Sequence, residues 1–415
     1  MSMRPRAALL GVLVFVAATA FACSGGGGSS GRQVLVDYNN PDFANIVLSY
    51  FPDSVAVHQG DTVHFKQAWN GEPHSVTMGT LVDKGLGIVN PLMQKYPGGQ
   101  GAPPEVNDQF NQAFKDLPFM FGDNDQVIQA AAQPCYLDTG TLPSDPNKPC
   151  PKRTQPVFTG KQAYYSSGFI PYAGNNGNSF DVKLANDIEP GTYLYYCNFH
   201  GPEMQGKIIV EPKGKAIPSQ GKVDEAALSQ ARSKTGALKK SLDKATTGYS
   251  LEKAIGIAGF PLSDNQRTKL KDAYLAGFGT QDNNPVLANE FLPRTIHAKV
   301  GEKVTWAFVG AHTVSFDVPR YFPILAIAKD GTVKLDKRAN SGGGTKFPDN
   351  YPEGAGDTLI VDGGSWNGTG FRNSGISPDT PENAAAAYSL TFTKAGTYQY
   401  ACLIHPKMVG TVVVK

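Results

Sequence analysis

The sequence predicts a mainly β protein made of two Greek-key sandwiches or barrels that a helical segment joins. Three observations predict this class. The 415 residues include 46 glycines and 30 prolines, a content that suits short strands joined by many turns. Apolar and polar residues alternate in several short segments, and two sets of these segments match each other, which indicates a duplicated domain. The formal net charge of only +2 gives no reason to expect nucleic-acid binding.

Each copy of the repeat begins with two short strands around a tight turn. Residues 51–76 and residues 292–314 alternate apolar and polar side chains around a Gly-Asp or Gly-Glu pair, which predicts two strands in each copy. The two segments match at one fixed offset, at Pro52, Gly60, Val63 and Phe65 in the first and at Pro293, Gly301, Val304 and Trp306 in the second.

Each copy ends with a strand, a tight loop and a second strand. Residues 180–212 and residues 388–415 both contain the pattern G-T-Y-x-Y-x-C, followed by a Val/Ile-rich strand at 207–210 or 411–414. Because side chains alternate between the faces of a strand, one face holds two tyrosines and the cysteine. These residues are Tyr193, Tyr195 and Cys197 in the first copy and Tyr398, Tyr400 and Cys402 in the second.

Between the copies the pattern becomes helical. Apolar residues recur at helical spacing after residue 216, and Ser263-x-x-Gln266 has the form of a capping box that begins another helix. The predicted divisions are a signal peptide at 1–22, a Gly/Ser tether at 23–32, a first domain at 33–215, a helical linker at 216–282 and a second domain at 283–415. The first domain carries an insertion at about 80–160, with a predicted helix at 125–133.

The N-terminal residues predict export. Arg4 and Arg6 precede an apolar stretch at 7–22 that is short for a membrane-spanning helix. The small residues before Cys23 and the Gly/Ser tether after it resemble a bacterial lipoprotein signal, which implies a lipidated Cys23 and a lipid anchor on the periplasmic or extracellular face of the membrane. Ala20 stands where that family usually has Leu, so ordinary secretion remains the alternative. Removal of 1–22 leaves a formally neutral chain.

The C-terminal loop of each copy carries a cysteine, a histidine and a methionine. A thiolate and a thioether favour copper(I), whereas imidazole serves both oxidation states, so this mixture suits a copper ion that cycles between the two. Zinc suits the set less well, because a thioether adds little for it. The spacings are C-x2-H-x3-M at Cys197, His200 and Met204 and C-x2-H-x2-M at Cys402, His405 and Met408, and the earlier histidines are His74 and His312.

With these motifs both copies resemble cupredoxins, the type 1 blue copper family of plastocyanin, amicyanin and pseudoazurin. The resemblance covers residues 33–212 and 285–415. It implies two type 1 copper ions per chain, one bound by His74, Cys197, His200 and Met204 and the other by His312, Cys402, His405 and Met408. The family usually has Asn after the first histidine. Ser75 and Thr313 stand there instead, so we expect the hydrogen bond that braces the site to be made differently.

The resemblance also implies an electron carrier that serves redox partner proteins such as cytochromes or other copper proteins. In the family the histidine of the cysteine loop has its ring edge near the surface, which makes His200 and His405 the expected electron ports. An apolar rim would surround them, formed by Phe199, Pro202, Leu403, Ile404 and Pro406. The alternative is that Phe199, Leu403 and Ile404 pack inward.

The remaining cysteines and histidines argue against a catalytic copper. In an exported protein Cys135 and Cys150 predict a disulfide. His58, His64 and His297 are scattered, with His64 pointing outward or lying at an edge. No H-x-H motif occurs, and no histidine adjoins Cys197 or Cys402, as multicopper oxidases and copper nitrite reductases would require. We therefore expect no enzyme. The alternatives are copper storage or delivery, a copper-dependent oxidoreductase of those two types, and a recognition module.

Overall fold

The computed structural model describes residues 31–96, 102–115, 117, 119–122, 126–151, 154–170, 178–281, 286–381 and 383–415. The predicted signal peptide, Cys23 and the tether up to residue 30 lie outside the described residues. Among the helices within these ranges, none combines the length and the apolar character that crossing a membrane requires.

A first sandwich is built from the N-terminal strands. Two sheets face each other, a four-stranded sheet in the order β3-β1-β5-β9 and a six-stranded sheet in the order β4-β11-β10-β6-β8-β7. The strands of these sheets are β1 (Gly31–Val36), β3 (Tyr50–Phe51), β4 (Ser54–His58), β5 (Thr62–Gln67), β6 (His74–Met78), β7 (Cys135–Leu137), β8 (Tyr164–Ile170), β9 (Ser179–Lys183), β10 (Gly191–Cys197) and β11 (Gly201–Glu211). The short strand β2 (Asn45–Val47) lies between β1 and β3 in the chain but belongs to neither sheet.

The insertion covers the outer face of the six-stranded sheet. It contains α1 (Thr80–Lys95), α2 (Pro104–Phe114) and α3 (Gln129–Ala132), so the predicted helix at 125–133 is shorter than expected and residue 125 lies outside the description. The α1 side chains Val82 and Leu86 pack in one apolar cluster with Phe114 and Tyr196. The predicted disulfide between Cys135 and Cys150 is confirmed and belongs to the same cluster.

The segment between the copies forms three helices that begin at serine caps. They are α4 (Gln220–Thr246), α5 (Leu251–Ala258) and α6 (Asp264–Lys269). The predicted capping box is confirmed, because Ser263 accepts from the backbone N–H of Gln266 while the Gln266 side chain accepts from that of Ser263. The buried stripe of α4, which includes Ala231 and Leu238, packs against Phe51 and Leu292, one residue from each copy. The segment is therefore a packed layer between the two copies.

A second sandwich follows, with a six-stranded sheet in the order β19-β21-β15-β12-β13-β2, a five-stranded sheet in the order β14-β23-β22-β16-β20 and the pair β17-β18. The predicted linker range thus supplies β12. The strands are β12 (Tyr274–Gly279), β13 (Val286–Leu292), β14 (Thr295–Ala298), β15 (Lys303–Phe308), β16 (Ser315–Phe316), β17 (Leu325–Ile327), β18 (Val333–Leu335), β19 (Thr358–Trp366), β20 (Arg372–Asn373), β21 (Ala385–Phe392), β22 (Gly396–Ala401) and β23 (Val409–Val414).

The repeated segments form equivalent elements. Gly60 turns the chain between β4 and β5, and Gly301 does so between β14 and β15, with φ of 81° and 85°, a conformation that glycine adopts without strain. Each strand before the cysteine, β10 or β22, pairs antiparallel with β11 or β23. The predicted alternation is confirmed in β10, because Tyr195 and Cys197 face the sandwich core while Tyr196 packs on the insertion. The mainly β class is confirmed.

The two sandwiches are packed directly on each other. Strand β2 leaves the first sandwich and pairs with β13 of the second, with Val47 opposite Val286. Gln129 of the insertion forms two hydrogen bonds with the backbone of Val333, to its carbonyl at 2.8 Å and from its N–H at 2.9 Å. The residues that make these contacts are buried. The strand pairing and the two hydrogen bonds therefore fix the position of one sandwich relative to the other.

Replacing Gln129 with Ala should therefore weaken the interface. Both backbone groups of Val333 would lose a buried partner, at a cost of about 2 to 4 kcal/mol in the free energy of unfolding. Denaturant unfolding followed by circular dichroism measures this change. Gln126→Ala is the control, because the Gln126 side chain is exposed. Equal stability of the two variants would contradict the proposed contribution.

Candidate metal centres

The first centre is formed where β6 and β10 end side by side. His74 is the first residue of β6, Cys197 is the last of β10, and His200 lies in the turn that leads into β11. The Nδ1 atoms of His74 and His200 are 3.1 Å apart, and Cys197 Sγ lies 3.5 Å from His200 Nδ1. Met204 on β11 is fully buried in the same apolar cluster as Cys197.

The second centre repeats this arrangement. His312 precedes β16, Cys402 directly follows β22, and His405 lies in the loop before β23. The Nδ1 atoms of His312 and His405 are 3.0 Å apart, and Cys402 Sγ lies 3.6 Å from His405 Nδ1. Met408 is fully buried in the cluster that holds Cys402, and its carbonyl accepts from the Cys402 N–H at 3.0 Å. The structure thus brings the predicted residues of each set together.

The surroundings of each thiol favour its thiolate form. Although burial raises the pKa of Cys197, the charge and hydrogen bond of His200 lower it well below its ordinary value, and His405 does the same for Cys402. Backbone N–H groups reinforce the effect, since Ser75 N lies 3.3 Å from Cys197 Sγ and Thr313 N lies 3.4 Å from Cys402 Sγ. Hydrogen bonds to the sulfur are one means by which a protein adjusts the potential of a copper–thiolate site.

The hydroxyls that replace the family's asparagine brace the ligand loops. Ser75 Oγ accepts from the N–H of Asn198 at 2.9 Å, and Thr313 Oγ1 accepts from the N–H of Leu403 at 2.8 Å. In both copies the acceptor adjoins the first histidine and the donor adjoins the cysteine. A hydroxyl therefore ties the two ligand segments together in each centre.

The centres differ in how the first histidine is supported. His74 Nε2 lies 3.1 Å from Asp37 Oδ2, with both side chains fully buried. Although burial lowers the pKa of His74, the hydrogen bonds of Asp37 and Cys197 raise it to about 10. Among the described residues no carboxylate bonds to His312, and burial lowers the pKa of His312 although Cys402 and the backbone of Val309 raise it. Asp37 was not predicted, because it lies 37 positions before its partner and has no counterpart contact in the second centre.

The second histidines point toward each other and not toward solvent. His200 Nε2 lies 3.1 Å from one oxygen of Glu72, and His405 Nε2 lies 3.4 Å from the other. The side chains of His200 and His405 are only 10% and 3% exposed. The expectation of a ring edge near the surface is therefore wrong for His405, whereas His200 keeps a small exposed fraction and lines a surface pocket with Phe119 and Pro202. Glu72 was also missed by the sequence analysis.

The residues of the expected apolar rim are buried or half-buried. Leu403 and Ile404 are fully buried, and Phe199 is half-buried, with its ring 5.1 Å from that of Phe121. The inward alternative is thus the one observed for these residues. Pro202 is buried and Pro406 is half-buried.

The other histidines stay apart from both centres. His64 bonds to Asp181 at 2.9 Å on the surface, in agreement with its predicted outward position, and His58 contacts the Lys215 carbonyl. His297 is exposed on β14. Among the described residues, the groups that could hold a metal ion through histidine, cysteine or carboxylate are the two His-Cys-His clusters.

The donor set of each cluster fits a type 1 copper ion. Two imidazole nitrogens that each lie about 2 Å from a transition-metal ion are separated by about 3 to 3.5 Å, as the paired Nδ1 atoms are here. The three ligand atoms of each cluster lie within 4.8 Å of one another. Two imidazoles, one thiolate and a buried thioether nearby are the ligands of blue copper sites. The fold and these clusters define a mainly β protein with two His-Cys-His clusters that could each hold a metal ion.

One part of the chain is similar to a known family. Residues 281–415 match the copper-binding proteins of the plastocyanin/azurin family, which supports a cupredoxin fold for the second sandwich. Amicyanin of Paracoccus denitrificans is 69% identical over 29 residues, which are 7% of this chain and 22% of the amicyanin, so the chain spans about a fifth of the length of the curated relative it matches.

Solved amicyanin structures are also similar to this chain. A proline-to-glycine variant in its reduced copper(I) form at pH 4 is 26% identical, with a TM-score of 0.15, and a methionine-to-glutamine variant with copper(I) is 25% identical, with a TM-score of 0.16. Each match covers 29% of this chain and 70% of the amicyanin. TM-scores this low carry no argument about the fold of the whole chain.

Removal of the Thr313 hydroxyl should loosen the second centre. In Thr313→Val the buried N–H of Leu403 loses its acceptor, which costs about 1 to 3 kcal/mol. We expect copper to dissociate faster from this centre, as followed by transfer to a chelator. Thr313→Ser is the matched control and should behave like the wild type. A valine variant with unchanged dissociation would show that the hydroxyl does not brace the loop.

Replacing Asp37 with Asn should raise the reduction potential of the first centre. A carboxylate that accepts from a ligating imidazole makes it a stronger donor, which favours copper(II), and such partners change metal affinity by about 10- to 100-fold. For a one-electron couple this corresponds to a rise of about 60 to 120 mV. The potential is measured by spectroelectrochemistry in a chain that also carries Cys402→Ser. The second centre, isolated by Cys197→Ser, should keep its potential when Asp37 is changed.

Proposed function

We propose that this chain is an exported blue copper protein that carries electrons between redox partners through two type 1 copper sites. The cupredoxin family of the second sandwich supports a copper-binding, electron-transfer role. The observation that carries the two-site proposal is the duplicate His-Cys-His cluster, held on the same strand–loop–strand frame in both sandwiches.

The protein's part in electron transfer is to hold one geometry for two oxidation states. Bound copper supplies a one-electron couple between copper(I) and copper(II). Each thiolate is fixed by a backbone N–H, and each pair of ligand segments is tied by the hydroxyl of Ser75 or Thr313. Since the ligands are held by folded strands and buried contacts, little has to move when the charge of the site changes.

We propose a carrier and not an enzyme or a delivery protein. His58, His64 and His297 are separate from the centres and from one another, so they do not offer the histidine cluster of a catalytic copper site. The two ligand cysteines are buried, and His312 and His405 are almost fully so. This burial opposes the ready release of metal that a storage or delivery function would need.

The proposed location is the periplasmic or extracellular face of the membrane, with a lipid anchor at Cys23 and redox proteins such as cytochromes or other copper proteins as partners. The disulfide between Cys135 and Cys150 supports an oxidising compartment. The burial of His405 opposes electron transfer at its ring edge, whereas His200 lines a surface pocket and stays a candidate electron port.

Single replacements of the ligand cysteines test the two-site proposal. The wild-type chain should bind two copper ions and show an intense thiolate-to-copper band in the visible spectrum that a mild reductant removes reversibly. Cys197→Ser and Cys402→Ser should each lose one copper and about half of the band, because each removes one thiolate. Metal analysis and absorbance give both quantities.

Cys23→Ser is the control and should retain both copper ions. A wild-type chain with one copper, or with no thiolate band, would contradict the two-site proposal. Turnover of nitrite or oxygen by the pure protein would contradict the carrier function.

A further inference from the structure

We propose that Glu72 couples the two metal centres, by accepting a hydrogen bond from the outer ring nitrogen of a ligand histidine in each sandwich. This inference rests on the proposed function, because it assigns Glu72 a role toward the copper that each centre would hold. The ring edges of the two histidines then lie on either side of a single carboxylate, which links the two centres electrostatically.

The hydrogen bonds use the atoms that metal binding leaves free. In each centre the Nδ1 atoms face the shared metal position, so the Nε2 atoms of His200 and His405 remain to donate a proton. Each finds a different oxygen of Glu72, at 3.1 Å and 3.4 Å. The two oxygens of one carboxylate can therefore accept both bonds at the same time.

The loop that carries Glu72 is fixed on both sides. Asn70 accepts from the N–H of Glu72 at 3.2 Å and donates to Asp37 at 2.7 Å, which joins this loop to the support of His74. Gln67 donates to the Glu72 carbonyl at 2.8 Å. These contacts hold the backbone of Glu72 and thereby position its carboxylate.

Gly71 permits the loop to touch the other sandwich. It has φ of 109°, and a Cβ atom built on it would lie 2.2 Å from the carbonyl oxygen of Ile404, in the ligand loop of the second centre. Only a glycine allows this approach without displacement of the loop. The two contacting residues, Gly71 and Ile404, therefore directly precede Glu72 and His405.

The repeat itself indicates that one carboxylate serves both centres. Glu72 stands two residues before His74, whereas Gly310 stands two residues before His312. Had each copy carried an acidic residue there, two negative charges would meet in the interface. A single carboxylate between two cationic centres instead stabilises the oxidised state of both.

Glu72→Ala and Glu72→Gln in the copper-loaded full chain test the coupling. Glu72→Ala removes both acceptors, and Glu72→Gln keeps one oxygen but presents an amide donor to the other histidine. We expect the ratio of oxidised to reduced copper at a fixed ambient potential to fall about tenfold in both centres of Glu72→Ala. The shift in the second centre is decisive, because Glu72 belongs to the first sandwich. It is measured with Cys197→Ser in the background.

A second readout is independent of potential. In the reduced protein, which is diamagnetic, proton–nitrogen NMR spectra should show two exchange-protected Nε2–H signals, from His200 and His405, and Glu72→Ala should lose both. Glu225→Gln on the exposed face of α4 is the control for the change of charge and should alter neither readout.

Wild-type chains that bind two copper ions, with a second centre unaffected by Glu72→Ala, would overturn the coupling while leaving the carrier function intact. A third copper ion that Glu72→Ala removes would also overturn it, because His200 and His405 would then ligate metal through Nε2. Failure of the wild type to bind copper at Cys197 or Cys402 would instead contradict the proposed function.

Discussion

The carboxylate of Glu72 lies largely buried between two imidazole rings that belong to different sandwiches. Burial of a carboxylate costs several kcal/mol unless hydrogen bonds and opposite charge compensate it. His200 and His405 supply that compensation only when the two ligand loops face each other. The exchange of β2 into the second sheet and the Gln129–Val333 pair hold the sandwiches in the required orientation. The packing of the two sandwiches therefore supplies the hydrogen bonds that the buried Glu72 needs, and those hydrogen bonds in turn stabilise the packing.

The two centres reach similar geometry by similar but not identical means. A hydroxyl next to the first histidine ties the ligand segments in both, although one copy uses serine and the other uses threonine. The supports of the first histidine differ, because Asp37 accepts from His74 while no carboxylate among the described residues bonds to His312. The two candidate centres therefore share one design but differ in their electrostatic environments.

Much of the fold could be predicted, because its signals are local. Alternation predicted the strands, the turn glycines Gly60 and Gly301 predicted their connections, and the capping box at Ser263 predicted a helix start. The burial of His405, which was expected near the surface, could not be predicted from sequence, since it depends on how two folded units pack. The same holds for Asp37 and Glu72, each of which meets its histidine only after distant segments have come together.

The sequence by itself determined the mainly β class, the duplication, the disulfide and the residues available as metal ligands, because strand periodicity, turn chemistry and ligand spacing are properties of short segments. Only the tertiary structure decided which carboxylates enter the centres and where the histidine edges point. Those features arise from contacts between chain segments far apart in sequence. A local sequence pattern therefore cannot predict which histidine each buried carboxylate contacts. The packing of one sandwich on the other brings the two Cys-His-Met loops together, so that Glu72 contacts a histidine of each loop.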